Sequence, residues 1–366
     1  MRRLPFSERP NWRQRCEEVG FTFHTIDGVY WDERHAYEFS LAQIEKLESA
    51  TEDLHAKCME TVEWIIREGH YDHFHLSPLA IEFIEQSWRA SQASIYGRFD
   101  FSWDGRRPPK MLEYNADTPT GLLEASVVQW HWLNDCVPTA DQFNSIHEKL
   151  IEQWRLLAAG KRVHFSALAD HEEDIGNTVY MMDVAHQAGA DVVYLNVEDI
   201  GVDEKTGQFI DMTEQPIAHL FKLYPWEWMF REEFADFLAR SNTTFFEPAW
   251  KVLLSSKAIL PLLWQRHRGH ENLLPASFRD DLGGSTVRKP LYSREGEGIV
   301  LPYEHAKPSD EPAVYQQFMP LPKFDDSYTV IGSWIVGDQA AGMGIREDET
   351  LITKNTSRFV PHYFYD

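Results

Sequence analysis

Two short alternating segments joined by a turn set the first limit on how this chain folds. Arg98 to Trp103 reads RFDFSW, Lys110 to Asn115 reads KMLEYN, and the intervening Asp104-Gly105-Arg106-Arg107-Pro108-Pro109 is made of turn formers. Side chains two apart on a strand share a face. The pattern therefore predicts a β-hairpin, with Arg98 and Asp100 on one side of its first strand and Met111, Glu113 and Asn115 on one side of its second. Where those sides coincide, the hairpin presents a guanidinium, two carboxylates and an amide together. Carboxylate and amide oxygens are hard ligands that suit Mg²⁺, which takes the rest of its shell from water and substrate phosphate. A neighbouring arginine grips phosphate oxygens bidentately and stabilises charge that develops in phosphoryl transfer. The plainer reading of the same spacing is an exposed polar strand face balanced by ion pairs, and Glu113-x-Asn115 is too short a motif to decide between them.

The rest of the chain mixes both periodicities. Residues 40–68 repeat apolar positions at helical spacing, and Ser77-Pro78 reads as the N-cap and first residue of a second helix. Gly121 to Asn134 and Ala140 to Leu157 also read as helices. Arg162 to Leu168, Asp191 to Asn196 and Ile217 to Leu223 read as strands around a helix from Glu172 to Gln187, the arithmetic of a small α/β lobe. Ala249 to His267 is helical with Pro261 inside it or at a break. From Thr286 onward VRKP, GIVLP, AVYQQFM, YTVIGSWIVG and TLITK read as short strands. The 366 residues suffice for two or three lobes enclosing a cleft, without internal repeats or low-complexity linkers. The expected class is α+β.

A second group of candidates lies far downstream. Lys289 ends the strand VRKP and is followed by the glycine loop YSREGEG; Lys257 sits among apolar neighbours in SSKAILP. Glycine loops let backbone N–H groups approach phosphates, and a strand lysine can reach the same oxygens. Gln316, Gln317, Phe318 and Met319 lie on a mostly apolar strand suited to an adenine slot. GxxxxGK[ST] is missing, so this is no P-loop. Two lysines, a glycine loop and an acidic hairpin from separate parts of the chain together point to nucleotide clamping between lobes.

Composition removes other classes. Thirty-five Lys and Arg against 58 Asp and Glu give a net charge of −23, which argues against nucleic acid or anionic membrane as partner and tolerates cations. The plain reading of this acidity is solubility. Cys16, Cys58 and Cys136 build neither a disulfide framework nor a paired CxxC knuckle. The first residues, MRRLPFSERP, carry no apolar run behind the arginines, and no stretch is long and apolar enough to span a bilayer, so a reducing cytoplasm is expected. His70, His73 and His75 in GHYDHFH invite a metallohydrolase, but HExxH is missing and 16 histidines make chance clustering easy.

RFDF…LEYNADTPTGLLEA, SSKAILPLLW, VRKPLYSREGEGI and GIREDETLITKNTSRFVPH, in that order over essentially the whole chain, resemble the synthetase part of the glutathionylspermidine synthase family, most closely its stand-alone bacterial acid–amine ligases. The resemblance implies a circularly permuted ATP-grasp fold with an adjacent α/β substrate lobe. It implies one ligase unit over 1–366, with a metal-binding hairpin and helix at 96–135, an α/β lobe at 160–240 and a nucleotide-clamping lobe at 245–366. Asp100, Glu113 and Asn115 match the family's Mg²⁺ ligands, for two ions, and Arg98 the arginine beside the transferred phosphate. Lys257, Lys289 and Gly296 match nucleotide-binding positions, Gln316 to Met319 the adenine hinge, and Arg346 a late arginine reaching the phosphates. Thr118, Thr120, Glu172, Glu173 and Lys222 fall where the acid substrate would lie. The implied chemistry joins a small-molecule acid, glutathione-like or peptide-like, to an amine or polyamine at the expense of ATP; an ATP-binding protein of the same fold with residual ATPase activity is the alternative. Larger members carry an N-terminal Cys/His amidase domain for which this chain is too short, and Cys16 lies in no such context, so no amidase activity is expected.

Overall fold

The computed structural model describes residues 1–366 apart from 27, 305–309 and 366. Its centre is a six-stranded sheet built from both halves of the chain. Arg358–Val360, Gln339–Asp348, Ser327–Val336, Tyr96–Ser102 and Lys110–Asn115 lie side by side in that order, and Lys323–Phe324 pairs with Ser327–Val336. All neighbours in this sheet run antiparallel. The predicted hairpin is present, in register Arg98 with Asn115 and Asp100 with Glu113. A bulge follows at Asp100/Phe101, where Phe101 pairs with Met111 and Leu112 becomes the extra residue. The expectation for Met111 is thereby corrected. It crosses to the core face with Phe99, Phe101 and Tyr114, while Arg98, Asp100, Glu113 and Asn115 stay on the other.

The core face is covered by the long helix Leu41–Glu68, which begins on a Ser40/Gln43 capping box and ends at Gly69 in the left-handed region, φ 74°. Ile44, Leu47, Leu54, Val62 and Ile65 form its buried stripe. Ser77 caps helix Pro78–Arg89 by accepting from Ala80 N–H. A second, four-stranded parallel sheet runs Thr244–Phe246, His219–Lys222, Arg162–Ala167, Asp191–Asn196, with Glu172–Gln187 as a crossover helix. A three-stranded sheet of Ala276–Ser277, Ala313–Gln317 and Thr286–Pro290 stands near the hairpin, and Arg2–Pro5, His35–Ser40 and His362–Tyr365 tie the two ends of the chain together. The class is mixed α and β. Among the described residues no helix is long and apolar enough to cross a membrane.

Several elements depart from the sequence reading. TLITK forms a loop and not a strand, because Asp348 accepts from Thr350 and Ser357 and bends the chain back on itself. GIVLP contributes one isolated bridge, Val300 with Arg288. Residues 121–134 pass through a π-helix, Glu124–Val128, between helical Leu122 and Leu123 and the α-helix Gln129–Cys136. The 249–267 segment breaks at Ser256, so Pro261 falls in the first turn of Ile259–Arg266, where a missing N–H costs little. The helix expected from Ala140 starts only at Ile146, since Asp141 and Asn144 bridge to Phe364 and Gly342.

Buried polar groups fix the hairpin from behind. Glu247 is fully buried; it accepts from the N–H groups of Ile95 and Tyr96 and from Lys251 Nζ at 2.9 Å. Fully buried His362 has Nδ1 2.9 Å from Gln129 Oε1 and Nε2 accepting from Phe143 N–H at 3.2 Å. Burial pushes its imidazole down from 6.5 to about 3. Acidification therefore protonates this histidine first in the unfolded chain, so its contribution to stability is full above about 6.5 and declines as pH falls toward 3. The melting temperature is expected to drop between pH 7 and pH 5, and His362→Gln to flatten part of that drop. Melting curves with the same pH slope in both proteins would contradict this.

Candidate active site

The polar face of the hairpin is the floor of a cleft. Arg98 clamps Asp100 through Nε to Oδ1 at 2.7 Å and Nη2 to Oδ2 at 3.1 Å, and donates through Nη1 to Thr120 O. Asn115 Nδ2 lies 3.1 Å from Asp100 Oδ2. Lys257 Nζ stands 3.2 Å from Glu113 Oε2 and donates to Ser293 O at 2.9 Å. Lys289 Nζ donates to Leu112 O at 2.9 Å, the carbonyl that the bulge exposes.

The electrostatics follow from this packing. Burial pushes the Glu113 carboxyl up, but the ammoniums of Lys257 and Lys289 and the Arg98 guanidinium outweigh it and hold the group at about 2. Burial pulls Lys289 down to about 8 although Glu113 opposes it. Glu113 is thus anionic and matched by protein cations, and Asp100 is paired with Arg98. An oxygen-only set of two carboxylates and a rotatable amide suits Mg²⁺ and not a soft metal. These residues fit the ion.

Two spaces meet at this floor. On one side is an apolar slot of about 90 Å³ lined by Val287, Leu112, Ile299, Leu301 and Gln316 to Met319, with Lys289 also in its wall. On the other is a polar cavity of about 410 Å³ lined by Arg98, Lys257, Thr118, Thr120, Glu172, Glu173 and Arg346. Asp100, Glu113, Gly296 and Thr353 belong to both walls. Gly296 has φ +74°, and a Cβ there would lie 2.2 Å from Ile352 Cγ2, so the glycine loop can seat on residues 352–353 only without a side chain. Arg346 donates to the carbonyls of Lys354 and Asn355 and so holds the facing loop.

A family profile described as glutathionylspermidine synthase preATP-grasp matches residues 3–365. The chain belongs to the glutathionylspermidine synthase family. A Haemophilus influenzae protein carried as a provisional acid–amine ligase is 46% identical over 388 residues, 98% of each chain. The trypanothione synthetase of Crithidia fasciculata is 28% identical over 75% of this chain and 48% of its own length. The bifunctional glutathionylspermidine synthetase/amidase of Escherichia coli is 29% identical over 90% of this chain and 59% of its own length. The chain thus spans about half of these two longer relatives.

Within this member of the glutathionylspermidine synthase family, sixteen of the seventeen residues singled out from the sequence line the joined spaces. Lys222 is the exception and is corrected. It is 1% exposed, behind the wall, with Nζ on Asp117 Oδ1 at 2.7 Å and over the Trp226 ring at 4.6 Å. Asp117 also accepts from Trp226 N–H and itself reaches the cavity. Among the wall residues not picked out are Asp117, Asp174, Glu227 and Arg294. Arg294 donates to Thr118 Oγ1 at 2.9 Å and lies 5.1 Å over Trp228. It stands in the quoted YSREGEG loop, which was the available signal. Asp174 is pushed up to about 6 by burial and by Glu173. The histidines of GHYDHFH do not converge: His70 packs on Trp64 and His73 stacks on Phe278.

Proposed function

We propose that this chain is an ATP- and Mg²⁺-dependent ligase that joins a carboxylic acid to an amine and releases ADP and phosphate. One observation carries the reading: Asp100, Glu113 and Gly296 form a common wall between an apolar slot of adenine size and a polar cavity with cations at its neck. Metal ligands that precede the nucleotide lysines in sequence yet share their cleft also support a circularly permuted ATP-grasp arrangement, with the hairpin and helix at 96–135, an α/β lobe at 160–240 and a clamping lobe at 245–366.

Adenine would lie along Gln316, Gln317, Phe318 and Met319, and Lys289, Lys257 and the Gly296 loop would draw the phosphates to the hairpin. Asp100, Glu113 and Asn115 would hold Mg²⁺, two ions in this reading, whose charge neutralises phosphate oxygens. Thr118 and Thr120 would orient the acid in line with the γ-phosphate. Its carboxylate attacks the phosphorus, giving an acyl phosphate and ADP, while Arg98 and Arg346 match the transferred charge. The amine then attacks the acyl carbon and phosphate leaves. Tyr292 to Gly298, seated on Ile352, would exclude the water that hydrolyses such an intermediate. The names of the relatives make glutathione and spermidine the first pair to try.

ATP consumption should require both acid and amine and should yield one amide per ADP, read by mass spectrometry beside a coupled ADP assay. ATP hydrolysis indifferent to both, with no amide formed, would leave an ATP-binding protein with residual ATPase activity.

A further inference from the structure

An amine arrives at neutral pH as an ammonium and cannot attack until it loses a proton, so a ligase of this kind needs an acceptor. Glu124 opens the π-helix Glu124–Val128 and is fully buried. Its Oε1 accepts from Tyr30 OH at 2.6 Å; its Oε2, also buried, has no partner among the described residues. An uncompensated carboxylate oxygen inside a protein is costly, and π-helical bulges concentrate at functional sites. Tyr30 also lines a small recess with Arg98, Thr120, Glu173 and Arg346 that opens off the cleft floor. The charged and titratable groups whose charge acts on Glu124 are Tyr30 from the N-terminal segment, which donates to it, Glu173 from helix Glu172–Gln187 and Arg346 from the central sheet.

We infer that Glu124, acting through cleft-wall Glu173, takes up the proton that the amine substrate must lose. This rests on the ligase reading. The ammonium gives one proton to the carboxylate pair and becomes R–NH₂. Its lone pair forms the C–N bond, the C–O bond to the phosphoryl group breaks, and phosphate departs with that electron pair and takes up the second nitrogen proton. The pair returns its proton to solvent on product release. Burial and the negative charge of Glu173 push Glu124 up to about 7, with Tyr30 and Arg346 opposing, and burial raises Glu173 as well. Such a pair exchanges a proton at working pH. Glu124 is a positioning and proton-holding residue and does not touch substrate.

Hydroxylamine separates this role from a structural one, because it is already neutral at pH 7 and needs no acceptor. With the acid that best supports hydroxamate formation in the wild type, Glu124→Gln should form hydroxamate at close to the wild-type rate. The same variant should ligate spermidine about a hundredfold more slowly at pH 7, and that rate should keep climbing about tenfold per pH unit beyond the wild-type plateau. Tyr30→Phe, which removes the hydrogen bond that favours the ionised carboxyl, should move the wild-type pH limb upward and serves if Glu124→Gln does not fold. Equal losses with both nucleophiles, or pH profiles unchanged in both variants, would overturn the inference. Wild type forming no hydroxamate from any acid would instead overturn the ligase reading, and this inference with it.

Discussion

Glu113→Ala is expected to lower ATP turnover by about a thousandfold or more while leaving the fold standing. The side chain sits on the wall common to slot and cavity, pairs with Lys257 at 3.2 Å and carries the largest opposing charge felt by Lys289. Removing it takes away one of two carboxylates that would carry Mg²⁺ and leaves the Lys257 and Lys289 ammoniums repelling each other with only the weaker pull of Asp100 on Lys289. The structural cost is small: the carboxylate is a quarter exposed, and Lys257 keeps Ser293 O while Lys289 keeps Leu112 O. An ADP-release assay beside a melting curve separates the two effects. Undiminished turnover would show that the carboxylate hairpin is only a polar strand face.

Asp117→Ala should act in the opposite sense, on the fold before the chemistry. Asp117 accepts from Lys222 Nζ at 2.7 Å and from Trp226 N–H at 2.8 Å, and both side chains of the ion pair are buried. Burial already pulls the Lys222 ammonium down, with Asp117 opposing. Deleting the carboxylate leaves an uncompensated buried cation, a loss of about 3–5 kcal/mol, whereas Asp117→Ala combined with Lys222→Met should recover much of it. Urea midpoints for the three proteins measure both. A single-variant loss below about 1 kcal/mol would show that the pair does not hold the Thr118–Thr120 loop.

The hairpin was legible because alternation is local: RFDF and LEYN state which side chains share a face. The bulge was not, since one extra residue changes register without changing composition, and it reassigns Met111 to the core and turns Leu112 toward the slot. The meeting of Asp100 with Gly296 and Thr353 depends on a sheet whose middle pair joins Tyr96–Ser102 to Ser327–Val336, a pairing across more than half the chain that no spacing rule announces. The family resemblance supplied that convergence. TLITK alternates as a strand does, yet the side chain of Asp348 captures its N–H and hydroxyl groups and makes it a loop. Lys222 came from the resemblance, and tertiary burial against Asp117 took it out of the cavity. Glu124 lay inside the quoted GLLEA motif, where a helix-forming residue gives no sign of being sealed away from water.

The most direct measurement uses an acid substrate labelled with oxygen-18 in its carboxylate. If the carboxylate attacks the γ-phosphate, one labelled oxygen must appear in the released phosphate when the amide forms, visible as an isotope shift in phosphorus NMR or as added mass. Phosphate free of label, with amide produced, would contradict an acyl phosphate at this cleft.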